Sequence, residues 1–131
     1  MIAIDTNVLV RLFVNDDATP AKKAKALFDV HANENGALWI ADIVLVKLVW
    51  ALDRSYGRSR AEIGAALRAL DGNATVRIES ASCLAPAIAL FAASPAGFAD
   101  CLLAVKASQA GCAALCGFDR KMRSLPGVEL L

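Results

Sequence analysis

Short apolar runs alternate along this chain with longer stretches of helical spacing. Met1-Ile2-Ala3-Ile4 has strand length and ends in the polar turn Asp5-Thr6-Asn7, after which Val8 to Val14 resume with helical character. Thr19-Pro20 reads as an N-cap followed by proline at the first helical position, which predicts a helix over Ala21 to about Ala32 with Ala24, Leu27 and Phe28 inward. A brief strand, Ala37-Leu38-Trp39-Ile40, comes next. The apolar stretch that follows predicts a helix from Ala41 or Asp42 to Tyr56-Gly57, where glycine suits a left-handed C-terminal cap. Ser59-Arg60-Ala61-Glu62 is a capping box opening a further helix with Ile63, Ala66, Leu67 and Leu70 on its apolar side. Asp71-Gly72-Asn73 turns the chain into a strand at Thr75 to Ile78. Ala81 to Ala93 reads as a helix in which Pro86 is tolerable only near the first turn. Phe98 to Ala110 is helical with Gly111 as its stop. Cys112 to Gly117 reads as a strand, Asp119 to Ser124 as a short helix and Val128 to Leu131 as a last strand.

The order is βααβααβαα, without internal repeats or low-complexity linkers. Strands separated by helices imply parallel pairing through right-handed crossovers, hence a three-layer α/β/α domain around a central, mainly parallel sheet. At 131 residues and 13.8 kDa the chain fits a single domain, residues 1–131.

One charge interrupts the pattern. Lys47 is the only ionisable residue in Ile43-Val44-Leu45-Val46-Lys47-Leu48-Val49-Trp50-Ala51-Leu52, a run that reads as a helix buried on every side. A lone buried ammonium demands a carboxylate opposite. Asp5, Asp100 and Asp119 are the candidates.

Composition narrows the function classes. Hydrophobic residues make up 57% of the chain and mean hydropathy is +0.50, which points to helices on both faces of a sheet or to a sizeable subunit interface. Ser80 to Ala99 carries no charge, yet its Ala and Ser content and the breaks at Pro86, Pro95 and Gly97 argue against a membrane span. With no basic, apolar leader at the N-terminus, the expectation is a cytoplasmic protein with no membrane association. Cys83, Cys101, Cys112 and Cys116 lack C-x-x-C spacing, and with His31 the only histidine they read as buried free thiols and not as a zinc site. The net charge of +1 provides no global field for nucleic acid, so any such contact must be local.

Asp5 and Asp119 each follow a predicted strand, and ligands of parallel sheets gather at the carboxyl ends of strands. Asp100, near the start of its helix, can point to the same place. Singly each acid has a plain structural role, as turn residue, dipole partner or N-cap. Three carboxylates in one cleft repel each other unless a cation lies among them, and an all-oxygen set suits Mg²⁺ or Mn²⁺. A hard cation so held orients a phosphodiester and activates water, which is nuclease chemistry.

Four segments carry a specific resemblance: Ile4-Asp5-Thr6-Asn7-Val8-Leu9-Val10, Val44-Leu45-Val46-Lys47-Leu48-Val49-Trp50, Phe98-Ala99-Asp100-Cys101-Leu102-Leu103-Ala104 and Gly117-Phe118-Asp119-Arg120. In this order, with the closing Leu125-Pro126-Gly127-Val128, they resemble the signature segments of PIN-domain ribonucleases, and most of all the VapC toxins of bacterial VapBC toxin–antitoxin pairs. The resemblance implies a compact α/β/α domain, usually a homodimer, whose acids bind Mg²⁺ or Mn²⁺ and cleave RNA with metal-activated water, neutralised by a VapB-like antitoxin. Asp5, Asp100 and Asp119 match the family's metal-binding acids, and Asn7 matches a frequent polar neighbour.

Two positions depart from that pattern. Gly117 stands where the family normally has Ser or Thr, and Lys47 falls where it has a glutamate that helps hold the metal. Replacing −1 by +1 at about 4 Å from another carboxylate changes the local electrostatics by several kcal/mol even at an effective dielectric of about 20. Lys47 would then be a resident substitute cation, paired with Asp5 or Asp100, and cleavage by this chain is expected to be impaired. Glu to Lys is a single-base change, and a toxic nuclease selects for inactivation, so an acquired or engineered mutation is preferred over a degenerate native toxin.

Arg11, Arg54, Arg58, Arg60, Arg120, Lys121 and Arg123 are candidates for RNA phosphates, with Arg120 and Lys121, beside Asp119, the best placed. Lys22, Lys23 and Lys25 read as a solvated helix face. Trp39 and Trp50 are expected in the core, which leaves no evident stacking platform. A partner helix or extended peptide is expected in an apolar groove near Val8 to Val14 and Val46 to Leu52. Two rivals compete with the ribonuclease: a catalytically inactive module that dimerises and binds an antitoxin, and a haloacid-dehalogenase-like phosphotransfer enzyme. The second would want an acid where the chain has Asn7.

Overall fold

The computed structural model describes residues 1–131, in two compact units, Met1–Ala81 and Ser82–Leu131. In the first, β1 (Ile2–Ala3), β2 (Leu38–Ile40) and β3 (Val76–Ile78) form a parallel sheet in the order β1-β2-β3. Register pairs Ile2 with Leu38 and Ile40 with Ile78. The connections are helical: α1 (Thr6–Phe13) and α2 (Ala18–Val30) join β1 to β2, and α3 (Asp42–Trp50) and α4 (Arg60–Asp71) join β2 to β3. In the second unit α5 (which opens at Ala81 and runs to Ala93) and α6 (Phe98–Gln109) precede β4 (Leu115–Gly117), a 3₁₀ turn at Arg120–Met122 and β5 (Val128–Leu130). β4 and β5 pair in parallel. The α/β class, the element order and the parallel pairing are those the pattern predicts, although the strands form a three-stranded and a two-stranded sheet.

Helix ends show why these segments fold locally. Ser59 and Glu62 form the reciprocal capping box at α4, whose Ile63, Ala66, Leu67 and Leu70 are all buried. Gly57 (φ 60°) and Gly111 (φ 87°) take the left-handed conformation that stops their helices without a Cβ clash. The helix carrying Lys47 does not end as a regular α-helix: it passes through a π-helical turn, Ala51–Ser55, before Gly57. The α2 start differs from expectation, since Asp17 and not Thr19 is its N-cap, which places Pro20 at the third helical position. There the missing N–H is still one of the four that no helical carbonyl can satisfy.

Two polar clusters lock segments together. Ala41 has no capping side chain, so the α3 N-terminus is capped from elsewhere: Glu79, just past β3, accepts from the Asp42 N–H at 2.9 Å, and Ser80 Oγ donates to Asp42 Oδ2 at 2.6 Å. This fixes α3 to the carboxyl end of the sheet. In the second unit Pro86 sits at the sixth residue of α5, later than its sequence context favours, and cannot donate to Ser82 O. Gln109 supplies the substitute. Its Nε2 donates to that carbonyl at 3.1 Å, and its Oε1 accepts from Ser82 Oγ at 2.9 Å and Cys83 Sγ at 3.2 Å.

Cys83 and Cys101 are buried free thiols as expected, whereas Cys112 and Cys116 are exposed. Cys116 lies in the short β4, on a face of the two-stranded sheet that turns to water, and Cys112 lies in the loop between α6 and β4. Lys22, Lys23 and Lys25 are exposed, as a solvated face requires. No helix is long and apolar enough to cross a membrane.

Replacing Glu79 by alanine removes the side chain that accepts from the Asp42 N–H at the start of α3, and should lower stability by about 1 kcal/mol, read as a lower denaturant midpoint with unchanged slope.

Candidate functional site

Asp5 stands where β1 gives way to α1. As N-cap it is extended (φ −83°, ψ 162°), and its Oδ1 accepts from the Thr6 N–H at 2.7 Å. That bond occupies one oxygen and the residue is exposed, so the rest of the carboxylate remains available. Thr6, one step on, is buried, and its hydroxyl has no partner. An unsatisfied buried hydroxyl costs about 1–3 kcal/mol, a strain the sequence pattern did not reveal. Asn7 is exposed and lines a groove of about 420 Å³ with Val8, Arg11, Pro20 and Lys23.

Asp100 and Asp119 belong to the second unit. Gly97 is the N-cap of α6, which makes Asp100 its third residue, half-buried. Asp119 caps the 3₁₀ turn after β4, with Oδ1 accepting from the Lys121 N–H at 2.9 Å. Burial holds the Asp100 carboxyl above the ordinary aspartate value, and the charge of Asp119 pushes it the same way. The two acids therefore feel each other, and a cation would relieve the repulsion. An all-oxygen pair suits a hard divalent ion, but no group of three or more His, Cys, Asp or Glu encloses a metal-sized space. The metal fit is thus carried by Asp100 and Asp119, with Asp5 in the other unit.

Lys47 is exposed, and this corrects the expectation of a helix buried on all sides. Val44, Leu45, Leu48 and Val49 are buried, while Ile43 (67% exposed), Lys47 and Trp50 (56% exposed) form an open stripe at i, i+4 and i+7. Buried residues are mostly apolar, but apolar residues need not be buried, so the run disguised a two-faced helix. Lys47 makes no ion pair with Asp5 and, being exposed, needs none. Trp50 is likewise not core: the Arg54 guanidinium lies 5.9 Å from its ring centre. Trp39 is half-buried.

Among the basic candidates, Arg11 is held by Asp16 at 2.8 Å and Arg58 by Glu62 at 3.7 Å. Exposed pairs of this kind are worth about 0–1 kcal/mol, so a phosphate can displace the carboxylate. Arg120, Lys121 and Arg123 are exposed and outside any ion pair. Beside them Phe118, absent from the candidates above, is 79% exposed. Gly117 leaves room for a side chain, because a Cβ there would meet only Met122 Sδ, at 3.9 Å.

The model of the PIN domain family matches residues 2–128. The chain belongs to the PIN domain family. It is 24% identical over 125 residues, 95% of this chain and 92% of the relative, to a VapC ribonuclease of Aquifex aeolicus (strain VF5). Among solved structures it resembles Mycobacterium tuberculosis VapC20, described as a sarcin-ricin loop cleaving toxin, at 22% identity over 98% of both chains with a TM-score of 0.44. The PIN domain family match runs through the segments around Asp5, Lys47, Asp100 and Asp119 alike.

The raised Asp100 carboxyl has a testable sign. Its folded-state value lies above the unfolded one, so ionisation at neutral pH costs stability, and that cost vanishes as pH falls below the ordinary carboxylate range. Asp100→Asn should therefore raise the melting temperature at pH 7 and lose this advantage near pH 3, in paired thermal melts.

Proposed function

We propose that this PIN domain is a VapC-like endoribonuclease toxin, acting as one domain over residues 1–131, with activity impaired by Lys47. The observation that carries the reading is the Asp100–Asp119 pair, two carboxylates whose mutual repulsion is compensated when a divalent cation is held between them. Asp100 and Asp119 would hold Mg²⁺ or Mn²⁺; Asp5, with Asn7 two residues on, matches a further acid of the family. When bound, such an ion lowers the pKa of water and offsets charge on the attacked phosphate. The chain's own part is to orient the RNA: Arg120 and Lys121 take phosphate oxygens next to Asp119, and Arg11 is a weaker anchor that must first release Asp16.

Lys47 supports the impairment. A lysine at the position of the family glutamate removes one of the carboxylates with which the family holds its metal. The same observation favours a second reading, an inactive module that dimerises and captures a VapB-like antitoxin. The exposed Ile43 and Trp50 on α3 and Leu103 on α6 are apolar area that a partner protein or a second copy would cover. A cytoplasmic location fits an RNA substrate.

Cleavage of single-stranded RNA with Mg²⁺ or Mn²⁺, comparing this chain with Lys47→Glu, separates the two. The Glu form should cut, and the unaltered chain should be slower by roughly two orders of magnitude or more, since about 1.4 kcal/mol is tenfold. Asp119→Asn in the Glu background should abolish cutting. Equal activity of the two forms would refute the role of Lys47, and no activity in either would favour the inactive module.

A further inference from the structure

Phe118 lies between β4 and the 3₁₀ turn, immediately before Asp119, and presents most of its ring to water. The backbone on both sides of it is pinned. Gly117 O accepts from the Leu131 N–H at 2.9 Å, and Asp119 Oδ1 accepts from the Lys121 N–H at 2.9 Å. The ring is thus offered from a fixed loop, so little further ordering is lost when something stacks on it. Arg120, Lys121 and Arg123 follow within five residues, all exposed and without carboxylate partners. An acid, an open aromatic face and three uncompensated cations share one short segment.

From this juxtaposition we infer that Phe118 is a base-stacking residue, which holds one unpaired nucleobase of an RNA strand whose phosphates lie on Arg120, Lys121 and Arg123. Single-stranded RNA is bound in this way, with cations along the backbone and aromatic faces under splayed bases, without need of sequence readout. The other exposed aromatic, Trp50, is a poorer platform, because Arg54 already lies over its ring. Stacking beside Asp119 places the adjoining phosphate next to an acid of the proposed site, so Phe118 sets which nucleotide of the strand is presented for cleavage. The inference rests on the ribonuclease reading.

A short RNA carrying 2-aminopurine at successive positions tests it in the absence of divalent metal. One position should quench on binding to the unaltered chain. Phe118→Ala should abolish that quenching and weaken affinity by about tenfold to a hundredfold, and Phe118→Trp should restore both. In the Lys47→Glu background Phe118→Ala should also blur or shift the cleavage position. Quenching and affinity unchanged in Phe118→Ala, with the parent binding RNA, would overturn the stacking and leave the ribonuclease reading standing. Loss of self-association with RNA affinity intact would overturn it in favour of a protein contact. If the unaltered chain binds no RNA and Lys47→Glu cuts none, both readings fall together.

Discussion

Parallel pairing imposes the constraint on which the rest of this structure depends. A strand that must cross over to a parallel neighbour ends where a helix begins, and each helix start exposes backbone N–H groups that need acceptors. Carboxylates meet the need here. Asp5 serves the Thr6 N–H after β1, Glu79 the Asp42 N–H after β3, and Asp119 the Lys121 N–H after β4. The acids that cap are thus brought to the carboxyl ends of strands by the demands of folding alone. Each capping bond uses one carboxylate oxygen and leaves the other without a capping role.

That double use explains why the structural and functional readings of Asp5 and Asp119 never competed. Asp100 differs. It caps nothing, stands in the first turn of α6, and is disfavoured as an anion by burial and by Asp119. Its ionisation at neutral pH works against folding stability, and the proposed metal role supplies what folding does not. The hydroxyl of Thr6, next to Asp5, is likewise buried without a partner.

Much of this was legible from local rules. The capping box at Ser59, the glycine stops at positions 57 and 111 and the inward faces of α4 follow from short-range chemistry, and the structure reproduces them. Burial was harder to read wherever composition replaced period. The run from Ile43 to Leu52 is so apolar that its open stripe of Ile43, Lys47 and Trp50 leaves almost no hydropathy contrast. Cys116 is exposed because β4 belongs to a two-stranded sheet, a fact of long-range pairing. For the same reason neither the trans cap from Glu79 nor the Gln109 bridge to Ser82 could be anticipated: their partners lie 37 and 27 residues away. Phe118 escaped notice because a lone aromatic next to a strand is ordinarily packed.

The exposure of Lys47 bears on the history of such a protein. An exposed residue contributes little to the folding balance, so exchange of charge at this position should leave stability within about 0.5 kcal/mol. Under the proposed ribonuclease reading, selection on this side chain acts on charge and hardly at all on the fold. On that reading a charge change there would silence the nuclease and leave the scaffold intact. The way back is as short as the way out, because no second, compensating substitution has to accumulate in the core.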